Sequence, residues 1–189
     1  MSQRIEDAIT AATRYHAGQT RKGSGAPYVL HPLAVAALVA DAGGDEDTII
    51  AALLHDAVED AGGADARAEI ADRFGEAVAR IVDGCSDTDE EPKPPWRPRK
   101  EAFVLRVRRA APEVRQVVAA DKIHNARSLR RDLHEEGDAV WSRFHGGREG
   151  SLWYFAAVAD ALADGWSHPL LDELRRVVAR LQREVEAPR

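Results

Sequence analysis

The chain has 189 residues, 44% of them hydrophobic and 31% charged, which is ordinary for one soluble globular domain with a sizeable core. Its formal net charge of −6 offers no basic field for nucleic acid or an anionic membrane surface. Cys85 is the only cysteine, which excludes an internal disulfide framework and suits a reducing compartment; with no N-terminal apolar signal and no long apolar run, the expected location is the cytoplasm.

Taken in order, the chain reads as helices. Residues 3–18 carry Ile5, Ala8, Ile9, Ala12 and Tyr15 at helical spacing, and Gly18 is a plausible stop. Residues 19–31 form a glycine-rich loop carrying Arg21 and Lys22 and ending at His31. Pro32 suits the first turn of a helix to about Ala42. Gly43-Gly44 breaks that helix, and Asp45 caps a central one over 46–60. Helices over 65–73 and 75–82 follow. Residues 83–98 hold four prolines and five acids, a surface loop. The helical pattern resumes at Arg99, breaks at Pro112, and continues over 112–133, 136–144, 147–164 and 168–186. No strand-like alternation and no repeat appears. The fold class is all-α, a bundle of about ten helices.

Two stretches carry chemistry. Ala51–Asp60 places His55, Asp56, Glu59 and Asp60 within six residues behind an apolar run. On a regular helix at about 100° per residue, Glu59 lies roughly 40° from His55, Asp56 roughly 100° and Asp60 roughly 140°. Three carboxylates then share one face, and their repulsion asks for compensation by a cation. The second stretch runs from Val117 to Ser128. Asp121, His124, Asn125 and Ser128 stand at i, i+3, i+4 and i+7, and the Val-Val-Ala-Ala run before Asp121 predicts that its carboxylate is at least partly buried. A buried charge needs a cationic partner, either a lysine, an arginine or a metal.

Arg21-Lys22…Pro27-Tyr28…His31-Pro32, then Ala52-Leu-Leu-His-Asp-Ala-Val-Glu-Asp60, then Ala120-Asp-Lys-Ile-His-Asn125 resembles the alarmone-hydrolase domain of the bifunctional (p)ppGpp synthetase/hydrolases, within the HD phosphohydrolase superfamily. The resemblance covers about residues 4–165. Phe74-Gly75…Val82-Asp83-Gly84 and Glu149-Gly-x-Leu-Trp153 also look like family segments. It implies one HD domain over 1–189, its core at about 4–165 and a packing helix at 168–186, with no synthetase or regulatory domain following. It implies removal of pyrophosphate from the 3′ position of guanosine tetra- or pentaphosphate, with one Mn²⁺ as the cofactor. His31, His55, Asp56 and Asp121 would ligate the metal, a set that also suits Fe²⁺, Zn²⁺ or Mg²⁺. Glu59 and Asp60 would be the catalytic acids acting on water. Arg21 and Lys22 would contact the nucleotide and Asn125 its ribose or base, with Ser128 a further substrate-binding candidate. The expected partner is a nucleotide, with no nucleic acid and no membrane. Two other readings stand beside this one: an HD-type phosphohydrolase of another nucleotide, and a non-catalytic nucleotide sensor.

The 21–31 loop is a residue longer than the usual family form, and the acidic, proline-rich 87–98 loop stands where a basic approach is expected. His16, His134, His145 and His168 show no ligand spacing and read as structural or exposed. Cys85 reads as an inert buried thiol. The tryptophans read as packing residues, Trp96 alone having the position of a gate.

Overall fold

Each helix begins or ends where local chemistry demands it. In the computed structural model, which describes residues 2–88 and 92–186 apart from the side chains of Asp60 and Ala61, the described residues form nine α-helices. Helix α1 (Gln3–Tyr15) starts at Ser2, whose hydroxyl accepts from the Ile5 N–H. Helix α2 spans Leu30–Asp41, with Pro32 in its first turn where no N–H is needed. Helix α3 (Glu46–Leu54) is capped by Asp45, whose carboxylate accepts from the Thr48 N–H at 2.8 Å. Helices α4 (Gly63–Phe74) and α5 (Glu76–Cys85) meet at Gly75, whose φ of 96° is open to glycine at little cost. Then follow α6 (Trp96–Val107), α7 (Pro112–Glu136), a 3₁₀ turn over Gly137–Arg143, α8 (Gly147–Leu162) and α9 (Pro169–Glu186).

Helix α7 is the axis of the bundle. It packs against α2, α3, α5, α8 and α9, with Val117, Ala119, Ala120 and Ile123 fully buried. The small Ala119 and Ala120 let neighbouring backbones approach closely, so the polar groups that follow them enter the interior beside α2 and α3. Helix α9 shows the amphipathic rule in plain form: Leu170, Leu174, Val177, Val178, Leu181 and Val185 are buried at three- and four-residue spacing. No helix among the described residues is long and apolar enough to cross a membrane.

The helix predicted over 136–144 is a 3₁₀ turn over Gly137–Arg143, the one predicted over 75–82 runs on to Cys85, and two further differences bear on the site. Helix α6 begins at Trp96 instead of Arg99, because the Trp96 ring packs on Trp153 and Tyr154 and covers Gly146 and Gly150, where a Cβ would lie within 3.1 Å of the indole. Trp96 is therefore a packing residue. The second difference, inside the 46–60 stretch, belongs to the candidate site. Asp89, Glu90 and Glu91, three acids of the 83–98 loop, lie outside the described residues.

A buried cation staples three helix ends together. Arg115, near the start of α7, donates from Nε to the Ala110 carbonyl at 2.9 Å and from Nη2 to Arg108 at 2.6 Å. Its Nη1 reaches the carbonyls of Leu162 and Asp164 at 3.2 and 2.7 Å. These are carbonyls at the ends of α6 and α8 that no helical N–H can satisfy, at the negative poles of the helix dipoles. Arg115→Leu strands them without a donor and is expected to cost about 2–4 kcal/mol of stability. Urea unfolding checks this; a loss below about 1 kcal/mol means that water replaces the guanidinium.

Candidate metal centre and active site

The 46–60 stretch does not form one regular helix. Helix α3 ends at Leu54, His55 and Asp56 form a turn, and Val58–Gly62 make a π-helical turn that leaves through Gly63 at φ 52°. Three carboxylates at α-helical spacing would repel across one face, and the break re-aims Asp56 and Glu59. π-Turns of this kind cluster at functional sites. The equal sharing of one helical face by His55, Asp56, Glu59 and Asp60 is thus corrected: His55 and Asp56 turn inward to α2 and α7, while Glu59 faces α6.

His31, in the first turn of α2, meets them from the other side. One ligating atom from each of His31, His55 and Asp56 lies within 4.8 Å of the others. Asp56 Oδ2 is 3.2 Å from His55 Nε2 and 3.5 Å from His31 Nε2. Asp121 Oδ1, from the middle of α7, is 3.1 Å from His31 Nε2 and 3.9 Å from His55 Nε2. The structure therefore brings together all four residues of the expected ligand set.

Orientation is imposed from behind. His55 Nδ1–H donates to the Ala52 carbonyl at 2.8 Å, which points Nε2 at the carboxylates. That Nε2 is buried and has no hydrogen-bond partner among the described residues. Tyr28 donates its hydroxyl to Asp56 Oδ2 at 2.8 Å, and Asn125 donates its amide to Asp121 Oδ1. Imidazole lone pairs and carboxylate oxygens converge here with nothing positive between them, so a proton or a metal cation must stand among them. Burial opposes a charged His55, yet Asp56 and Asp121 outweigh it and push the imidazole up to about 9. Burial likewise opposes ionisation of Asp121, but Lys122 and His31 hold it well below the usual carboxylate range. Two imidazole nitrogens and two carboxylates are a borderline-to-hard donor set that fits a divalent cation.

The pocket beside this cluster is partly open to solvent and is walled by α5, α6, α7 and α8. Glu59 accepts from the Asp87 N–H at 3.4 Å and pairs with Lys93 at 3.3 Å and Arg99 at 3.8 Å. Asp87, nearly fully buried, is bound by Arg99 at 2.6 Å and by Lys100. Lys122 donates to Asp121 Oδ2 at 2.6 Å, and the ammonium groups of Lys122 and Lys100 lie 5.2 and 4.9 Å from the Tyr154 ring centroid. Positive charge therefore reaches Glu59 and Asp87 both from the 87–98 loop, through Lys93, and from the start of α6, through Arg99 and Lys100. The sequence reading had given no role to Asp87, Arg99, Lys100 or Tyr154. No spacing ties them to the motifs, and Asp87 is one acid among several in an irregular loop. Tyr28 and Lys122 lay inside the quoted motifs, and their adjacency to His31 and Asp121 was the available signal.

The remaining candidates are dispersed. The 19–31 loop closes by a bridge between Thr20 and Pro27, with Tyr28 N–H donating to the Gln19 carbonyl at 2.9 Å. Its tip rests on α7 and the 3₁₀ turn at Gly23, whose φ is 103° and where a Cβ would strike Arg143 and Asp132. Arg21 donates to Asn125 Oδ1 at 2.9 Å and lies over the Tyr28 ring. Lys22 is exposed, with no ion pair among the described residues. Ser128 is half-buried on α7, one turn beyond His124. The side chain of Asp60 lies outside the described residues, its backbone in the π-turn. Of the histidines without ligand spacing, His16 is buried against Tyr28.

A sequence profile described as HD domain matches residues 8–152. The chain belongs to the HD domain family. Over 134 residues this HD domain chain is 40% identical to a Streptomyces coelicolor "GTP pyrophosphokinase", covering 68% of the chain and 15% of that relative. It is 37% identical over 133 residues to the "Bifunctional (p)ppGpp synthase/hydrolase SpoT" of Escherichia coli K12, covering 67% of the chain and 18% of the relative. It thus spans under a fifth of the length of these curated relatives. Among solved structures, a metazoan ortholog of SpoT that hydrolyzes ppGpp superposes with a TM-score of 0.78 over 98% of both chains at 23% identity, which shows the shared fold. The crystal structure of lmo0812 from Listeria monocytogenes EGD-e gives a TM-score of 0.72 at 33% identity, over 81% of this chain and 99% of that one.

Cys85 opens onto the same pocket, and burial first, then the charges of Asp121 and Asp56, push its thiol far above the usual range. The thiolate is the reactive form. Metal-free native protein at pH 8 is therefore expected to react with a thiol reagent such as DTNB at least about ten times more slowly than the unfolded chain; equal rates show an accessible, ordinary cysteine.

Proposed function

We propose that this HD domain chain is a metal-dependent guanosine-3′,5′-bis(diphosphate) 3′-pyrophosphohydrolase, releasing pyrophosphate from (p)ppGpp and leaving GDP or GTP. The carrying observation is the convergence of His31, His55, Asp56 and Asp121, the last three of which line a pocket together with Glu59. Curated relatives over the same stretch include several named for this activity, among them those of Escherichia coli O157:H7, at 37% identity, and Haemophilus influenzae, at 40%. The reading treats residues 1–189 as a single domain.

The four converging residues would hold one divalent ion, Mn²⁺ by preference, which when bound supplies charge neutralisation for the phosphoryl oxygens and acidifies water. The chain's own residues do the rest. Glu59, held by the Asp87 N–H and by Lys93, takes a proton from the attacking water. Asp60, the next residue in the same turn, orients that water with it. The water oxygen bonds to phosphorus as the ester bond to the 3′ oxygen breaks. The proton that Glu59 took from the water passes to the departing 3′ oxygen, which leaves as the hydroxyl, and pyrophosphate is released. Lys100 and Lys122 bring positive charge to a pocket that must accept a polyanion in a net-acidic protein. Arg21 and Asn125, already joined to each other, stand where nucleotide contact is expected, with Lys22 and Ser128 as the outer candidates.

Purified protein with Mn²⁺ is expected to convert ppGpp to GDP and pyrophosphate, and EDTA to abolish the reaction. Glu59→Ala and Asp60→Ala should each lower kcat by at least about a hundredfold while Mn²⁺ binding by calorimetry persists. Absence of pyrophosphate release with Mn²⁺ present rejects the reading. The competing reading is an HD-type hydrolase of a different nucleotide. A panel in which a 5′-phosphorylated nucleotide turns over faster than ppGpp selects it.

A further inference from the structure

His31 faces the ligand cluster through Nε2, and its other ring nitrogen meets a second imidazole. His31 Nδ1 lies 2.7 Å from His124 Nδ1, with the rings 4.8 Å apart and tilted by 40°, so the contact is edge-on through the nitrogens and not a stack. Two facing Nδ1 atoms at that distance share one proton. An imidazole that ligates through Nε2 carries its hydrogen on Nδ1. His31 is then the donor, and His124 must offer a bare Nδ1 while keeping its own hydrogen on Nε2. The other candidate imidazole, His55, is held by the backbone carbonyl of Ala52, which no substitution removes. His31, in the first turn of α2, depends on a side chain.

We propose that His124 is a positioning residue for the metal centre: its Nδ1 accepts the Nδ1–H of His31, fixing the tautomer and ring angle that aim His31 Nε2 at Asp56 and Asp121. The inference rests on the metal reading above. It also makes α7 serve the site twice within one turn, since Asp121 joins the cluster directly and His124, three residues on, orients a ligand carried by another helix.

Two variants of the full chain test it. His124→Phe keeps a flat ring but has no acceptor, and His124→Asn offers an amide oxygen. Calorimetric titration with Mn²⁺ should show His124→Phe binding about 10–100-fold more weakly than the natural chain, with His124→Asn recovering most of that loss. The metal-free melting temperature reports whether each variant is folded. Histidine ¹⁵N NMR of the natural chain loaded with diamagnetic Zn²⁺ should place the His31 proton on Nδ1 and the His124 proton on Nε2, a readout that needs no variant to fold. Unweakened Mn²⁺ binding by folded His124→Phe, equal losses in the two variants, or a proton on His124 Nδ1 overturns the proposal. If the natural chain takes up no divalent ion, the metal reading itself falls, and that result is distinct from the others.

Discussion

The structure depends on gathering like-charged and lone-pair-bearing groups inside an apolar bundle. Asp56 and Asp121 are carboxylates drawn away from water, and His31 and His55 aim their Nε2 atoms at them. Left without a cation, such a cluster costs several kcal/mol in desolvation and mutual repulsion. The surroundings answer that cost in layers. Lys122 neutralises one oxygen of Asp121, Tyr28 and Asn125 donate to the carboxylates, and a backbone carbonyl orients His55. The imidazole nitrogens and carboxylate oxygens that converge there are a donor type that suits a divalent cation.

That demand explains the helix architecture around it. Helix α7 is long and lined with small residues before Asp121, so a charged group can be carried deep into the bundle on a rigid element. Helix α3 stops where it does because continuing would stack Asp56 under Glu59 and Asp60. The break separates the stretch into two parts with different surroundings: His55 and Asp56 among imidazoles and carboxylates, and Glu59 among Lys93, Arg99 and the Asp87 N–H. In the proposed reading, environment more than residue type would divide a holder of metal from an acceptor of protons. The division comes from the turn.

The 19–31 loop is coupled to the same centre. Tyr28 reaches Asp56, and Arg21 reaches Asn125, which in turn reaches Asp121. A nucleotide that moved this loop would therefore act on two of the four converging residues through one hydrogen bond or two. Positive charge enters the pocket from α6 and α7 by way of Lys100 and Lys122, which stand there beside the carboxylates of Asp56, Glu59, Asp87 and Asp121.

The sequence by itself determined the helical class, most helix boundaries and the residues of chemical interest. Periodicity, Asp45 as a cap, Pro112 and the glycine breaks are local signals, and local physics suffices to interpret them. That His31 and Asp121 belong to one site came from resemblance to a known family, because no spacing rule joins residues ninety positions apart. Tertiary structure alone decided the rest. The π-turn at Val58–Gly62 arises from a conflict between helix propensity and inward-facing ligands, which a helical wheel does not contain. The placement of Asp87, Lys100 and Tyr154 around Glu59 follows from how α5, α6 and α8 pack. The pairing of His31 with His124 follows from α2 crossing α7 at one particular turn. Each is a contact between residues distant in the chain, and only the packing of the apolar faces fixes which of them meet.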